Sequence, residues 1–256
     1  IGCYATFLTP KGKMLGDLRV LDTGEELLLD TERVALQELF NMIRRFSIGF
    51  DVQLHKRTLE RGLLSVIGLE VVDGVPKVEH SHAVVSVGDV STRAIRTDVG
   101  VDLLCDAGDV DALKAALALP ELSEEQVELV RVEHGRPRYG IDLDETVIPQ
   151  EAGLNERAVS FTKGCYVGQE TVARLYYRGK PNRQLRGLRL SDTVATGAPL
   201  VFGDREVGQI TSVACSPTFG SIGLALVRRE APVGSVVNVG GNGVTAEVVE
   251  LPFATG

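Results

Sequence analysis

Tryptophan is absent from this 256-residue chain, and no apolar run approaches the length that crosses a bilayer. No signal-peptide pattern opens the sequence, which reads as cytoplasmic. The four cysteines, Cys3, Cys105, Cys165 and Cys215, lie far apart in different expected elements, so reduced thiols fit better than a disulfide framework. Walker A and dinucleotide-binding glycine patterns are missing, and Phe219-Gly220-Ser221-Ile222-Gly223 lacks the spacing of a nucleophile elbow. No cysteine or carboxylate cluster completes a metal site around His80-Ser81-His82, which reads as an exposed polar edge. The formal net charge of −8 speaks against general nucleic-acid or anionic-membrane binding. What is present, 44% hydrophobic and 24% charged residues, is the composition of an ordinary globular protein with room for one large core or two to three small ones.

The stretch from Phe161 to Glu170, F-T-K-G-C-Y-V-G-Q-E, is the most informative. It sets Cys165 between Gly164 and Gly168, after Lys163 and before the amide of Gln169 and the carboxylate of Glu170. Glycines allow positive φ and close backbone approach, so such a loop can present a thiol and several N–H groups to a ligand. An ammonium such as Lys163 nearby favours a thiolate. The alternative is a small buried hydrophobe beside a glycine turn. Downstream, Arg174, Arg178, Lys180, Arg183, Arg186 and Arg189 follow one another with no acidic residue between Thr171 and Leu190. They read either as a solvated strand-and-linker face or as a basic rim for an anionic tail such as a polyglutamate.

Periodicity predicts an α+β chain. Strands are expected at Tyr4–Leu8, Met14–Leu21, Glu26–Leu29, Leu63–Leu69, Ala83–Val87 and Val101–Cys105. Helices are expected over Glu32–Phe46 with Thr31 as cap, over Val110–Leu119, and over Glu124–Val132 opened by Ser123. From Arg183 onward short apolar runs alternate with glycine turns at Gly197, Gly203, Gly208, Gly234 and Gly240-Gly241-Asn242-Gly243, the pattern of a small antiparallel β-barrel. A domain boundary near Pro181 would divide the chain into residues 1–180 and 181–256.

The string K-G-C-Y-V-G-Q-E followed by T-V-A-R resembles the signature of the YgfZ-type folate-binding proteins, bacterial relatives of a mitochondrial iron–sulfur cluster assembly factor. Further similar segments are Phe7-Leu8-Thr9-Pro10-Lys11-Gly12-Lys13, Arg131-Val132-Glu133-His134-Gly135, Ile210-Thr211-Ser212 and Ile222-Gly223-Leu224-Ala225. The wider superfamily is that of the glycine cleavage T-protein, a tetrahydrofolate-dependent aminomethyltransferase. The resemblance implies a T-protein-like folate-binding domain, itself of two subdomains, followed by the barrel. It also implies a further N-terminal segment, absent from this sequence, whose folate contacts are unassigned.

By the same resemblance Glu133 matches a glutamate that engages the pterin ring, and a carboxylate can accept two parallel N–H bonds from an aminopyrimidinone edge. The alternative is a helix-end glutamate paired with Arg131 or Arg136. Tyr139 and Asp142 would line the cavity, Lys163, Gln169 and Arg174 would contact folate, and Cys165 would face it as a redox or one-carbon acceptor, with no metal. Leu15-Gly16-Asp17-Leu18 stands where T-proteins carry a paired acid, which takes support from aminomethyl transfer and leaves Asp17 as a turn cap or a folate neighbour. The function implied is a tetrahydrofolate-binding accessory protein for assembly or repair of iron–sulfur clusters, with client enzymes such as those that thiolate tRNA. One site cysteine cannot itself hold a cluster, which needs four thiolates. A folate-dependent methyl- or aminomethyltransferase and a pure interaction module are the alternatives.

Overall fold

The computed structural model describes residues 1–69, 73–241 and 243–253; Asn242 of the expected glycine turn lies outside them. Contacts divide the chain into two compact units, Ile1–Ala5 with Leu18–Glu121, and Thr6–Asp17 with Leu122–Gly256.

In the first unit, β1 (Gly2–Leu8), β2 (Met14–Asp22) and β3 (Leu27–Asp30) form a sheet in that order, β1 and β2 also supplying residues to the second unit. Arg19 on β2 pairs with Asp30 and, at 2.5 Å, with Asp102. α1 (Leu36–Phe46) starts later than the Thr31 cap predicts. Val34 is exposed, and the buried apolar positions of the segment begin with Ala35 and Leu39. A second sheet joins β4 (Arg61–Ile67), β5 (His82–Val87), β6 (Val90–Arg96) and β7 (Gly100–Asp106) in the order β4-β7-β6-β5. α2 (Val110–Leu117) sets Leu113 into its core beside Val66, Val101, Leu103 and Cys105. β6 lacks an alternating apolar signal because Thr92 and Arg96 take buried positions, the Thr92 hydroxyl donating to the Leu104 carbonyl at 2.9 Å.

The histidine pair is not an exposed edge. His80 stacks on Tyr4, ring centroids 6.0 Å apart, and Nδ1 of half-buried His82 lies 2.9 Å from the Arg93 guanidinium. Burial lowers the His82 pKa.

In the second unit α3 (Glu124–Glu133) opens with a capping box: Ser123 Oγ accepts from the Gln126 N–H, and the Ser123 N–H donates to Gln126 Oε1. α4 (Asn155–Ala158) and α5 (Gln169–Arg178) follow. β8 (Arg183–Leu190), β9 (Pro199–Phe202), β10 (Arg205–Ser216), β11 (Gly220–Arg228), β12 (Val236–Val239) and β13 (Val244–Val249) close a barrel in the order β10-β11-β8-β13-β12-β9. Its core includes Leu188, Leu200, Val207, Ile210, Val237 and Val248. Gly208 is not a turn: it sits inside β10 at a register shift, where a Cβ would lie 2.6 Å from the Leu226 carbonyl oxygen. Val132 of α3 packs with Leu185, Ile222, Leu224 and Phe253, seating the helix on the barrel.

Candidate functional site

The cysteine loop is held by backbone interlocking. Gly168 has φ +85°, a conformation only glycine adopts freely, and forms the N-cap of α5. A Cβ on it would lie 2.6 Å from the Thr9 carbonyl oxygen and 3.0 Å from Gly12 Cα. Gly12 has φ +75°, and a Cβ on it would meet Thr171 Cβ at 3.0 Å. The Thr9–Lys13 turn is closed by Thr9 N–H to Lys13 O and Gly12 N–H to Thr9 O, at 2.8 and 2.9 Å. Lys13 Nζ then reaches the Thr146 carbonyl at 2.5 Å, and buried Gln150 donates from Nε2 to the Val172 carbonyl at 2.8 Å. Two segments far apart in sequence, T-P-K-G-K and K-G-C-Y-V-G-Q-E, thus form one scaffold.

Upon that scaffold Cys165 is a free, exposed thiol, and Gly164 beside it faces open space. Exposure alone does not single it out, since Cys3 and Cys215 are also exposed and only Cys105 is buried. Lys163 is exposed with its ammonium 4.8 Å from the Tyr166 ring centroid, an aromatic partner that the spacing did not predict. Burial raises the Tyr166 pKa, and its hydroxyl has no hydrogen-bond partner among the described residues. Gln169 begins α5 and Arg174 projects from it into solvent. The segment 169–178 is therefore a helix, where the solvated reading had a strand and linker. Its Val, Thr and Tyr content is weak helix-forming sequence, but Val172 is buried one turn beyond the interlocked Gly168.

The basic run splits on folding. Arg183 Nε bonds Glu151 at 3.1 Å and its Nη2 bonds the Thr146 carbonyl at 3.0 Å, while Arg186 bonds Glu250 at 2.5 Å. Arg174, Arg178, Lys180 and Arg189 stay exposed, with no ion pair among the described residues.

Glu133 ends α3, half-buried, with Oε1 accepting from Ser216 Oγ on β10 at 2.6 Å. The Ser216 oxygen accepts in turn from the Thr218 and Phe219 N–H groups at 3.0 and 2.9 Å. Arg131 pairs with Glu128 and Asp142, and no hydrogen bond joins Glu133 to the Cys165 segment among the described residues. Sequence reasoning missed Ser216 because a contact between residues 83 apart leaves no local signal.

Asp142 does not line a cavity. Its side chain is 0% exposed and accepts from Arg131 Nη1 at 2.5 Å, Thr211 Oγ1 at 2.5 Å, Ser212 Oγ at 2.7 Å and the Arg138 N–H at 3.0 Å. Burial opposes the Arg131 charge, but the hydrogen bond to Glu128 and the Asp142 charge outweigh it and raise the pKa. Segments R-V-E-H-G, R-Y-G-I-D and I-T-S so meet in one buried polar network that fixes the end of α3. Tyr139 is half-buried and forms a one-residue β-bridge with Leu143. Asp17 is buried within β2.

The barrel matches the glycine cleavage T-protein C-terminal barrel domain over residues 183–254. The fold is similar to the crystal structure of glycine cleavage system aminomethyltransferase T from Bartonella henselae, with TM-score 0.77 at 19% identity over 99% of this chain and 76% of that one. An aminomethyltransferase of Thermotoga petrophila is 29% identical over 99% of this chain and 76% of its own length. The tRNA-modifying protein YgfZ of Vibrio vulnificus strain YJ016 is 28% identical over 77% of this chain and 61% of its own. A chloroplastic relative from Arabidopsis thaliana, 27% identical, is spanned over 62% of its length. Fold and barrel are those of a T-protein. The chain is thus similar in sequence to YgfZ proteins and to aminomethyltransferases alike.

Proposed function

We propose that the protein binds tetrahydrofolate and acts as an accessory factor in the assembly or repair of iron–sulfur clusters. The observation that carries this reading is the exposed Cys165 on a loop fixed by the Gly12–Gly168 interlock, within a T-protein fold. In this reading residues 1–180 form the folate domain and 181–256 the barrel domain.

The residues present fit a folate. Glu133 is a half-buried carboxylate whose Oε1 is fixed by a hydrogen bond from Ser216. In this reading the carboxylate accepts N–H bonds from a pterin edge. Lys163, Gln169 and Arg174 would meet the polar and anionic parts, and Tyr139 would flank the site. Bound tetrahydrofolate would supply one-carbon or reducing capacity. The chain's own work is to hold the pterin by Glu133 and to present the Cys165 sulfur on a rigid loop. Relatives bearing the name tRNA-modifying protein support client enzymes that modify tRNA.

A folate-dependent aminomethyltransferase is the second reading, favoured by relatives of that name. Gly16 next to buried Asp17 leaves it one acid where the transferase pattern has two. Calorimetry with tetrahydrofolate, paired with an assay of aminomethyl transfer from a lipoyl carrier protein, separates the two. The accessory reading expects binding without turnover; measurable transfer replaces it with the second reading, and absence of binding removes both.

A further inference from the structure

Beyond Gln169 and Arg174, which the folate reading also uses, α5 carries a surface that this reading leaves unused. Phe161 of the preceding loop stacks on Tyr176, with centroids 3.8 Å apart and planes inclined by 20°. Tyr177 meets both rings edge-on, at 5.0 Å from Tyr176 and 6.3 Å from Phe161. This cluster faces water: Tyr176 is 46% exposed and Tyr177 68%. Burying aromatic rings is favourable, so a preassembled cluster left in solvent is a platform awaiting a flat partner.

Cations frame it. Arg174, Tyr177 and Arg178 stand at i, i+3 and i+4, one face of the helix, and Lys180 follows two residues beyond. Arg174, Arg178 and Lys180 are exposed and carry no ion pair among the described residues, in a chain of net charge −8. Arg178 in the last helical turn complements the helix dipole, which accounts for one of these cations but for neither the other two nor the open rings.

We infer that this aromatic and cationic face of α5 binds an unpaired stretch of RNA, with bases stacking on Tyr177 and Tyr176 and phosphates meeting Arg174, Arg178 and Lys180. The ring platform requires splayed bases, which a duplex keeps stacked internally. A broad anionic bilayer would face the acidic chain as a whole, whereas a single strand touches only the helix.

The test is fluorescence anisotropy with a labelled oligouridine of about ten nucleotides, within the usual span of a single-strand site. Three phosphate contacts on a single strand give a slope of about −2 for log affinity against log salt, and Arg178→Ala removes about 0.7 of it. Tyr177→Ala weakens binding about tenfold at unchanged slope, and Tyr177→Phe restores it. Tetrahydrofolate affinity stays unchanged in all three variants, which keeps this test separate from the folate reading. The proposal is overturned if the oligonucleotide does not bind, if Tyr177→Ala binds as well as the native chain, or if polyglutamate displaces the RNA at equal charge. Binding to anionic phospholipid vesicles in place of RNA, or loss of folate affinity in Tyr177→Ala, overturns it equally.

Discussion

Gly12 and Gly168 meet backbone to backbone, and each has a positive φ that a side chain would strain. Gly168→Ala combines that strain with a Cβ 2.6 Å from the Thr9 carbonyl oxygen, so a loss of about 2–4 kcal/mol is expected. Gly164→Ala, facing open space, should stay within about 0.5 kcal/mol of the native chain. Denaturant midpoints of the two variants check this; equal effects would mean that the interlock does not hold the loop.

The Asp142 carboxylate gathers Arg131, Thr211, Ser212 and the Arg138 N–H at a fully buried point. Asp142→Ala leaves a largely buried guanidinium short of its partner and is expected to destabilise by about 3–5 kcal/mol. Asp142→Asn keeps the shape and loses less. A midpoint for Asp142→Ala within about 1 kcal/mol of native would show that Glu128 alone satisfies Arg131.

How much of this was legible follows the range of each signal. β4, β5 and β7 follow from apolar runs within two residues of their observed ends, and the cap of α3 from Ser123 ahead of a helical spacing. α5 was hidden because it opens on a left-handed glycine instead of a side-chain cap and is rich in residues that also suit strands. At the site, the glycines flanking Cys165 signalled an exposed loop. The Gly12–Gly168 contact and the Glu133–Ser216 bond are long-range and carry no mark in either segment alone.

Glu133→Gln should weaken tetrahydrofolate binding about ten- to hundredfold, the loss of a charge-assisted pair of about 1.5–3 kcal/mol. The amide still accepts from Ser216, so the fold is kept. Calorimetry reads the effect, and unchanged affinity would remove Glu133 from the site.

Tyr166 gives an alkaline signature. Burial raises its folded pKa above the unfolded value of about 10, so its contribution to stability is complete below that pH and is lost as pH rises through the folded value. Tyr166→Phe removes an unpartnered hydroxyl and this loss together. Its midpoint should match or exceed the native one at neutral pH and pull ahead above about pH 10. A neutral-pH deficit would show that the hydroxyl has a partner.

The most direct test of the account is complementation of a deletion strain, scored by a cluster-dependent enzyme under oxidative stress, with Cys165→Ala and Cys215→Ala compared. Both thiols are exposed, so neither substitution should move the melting temperature appreciably. Cys165→Ala is expected to fail and Cys215→Ala to complement, with tetrahydrofolate slowing thiol labelling at Cys165 and leaving Cys215 unaffected. Full complementation by Cys165→Ala, with a labelling rate indifferent to folate, would contradict the account and leave the loop as a glycine-shaped wall.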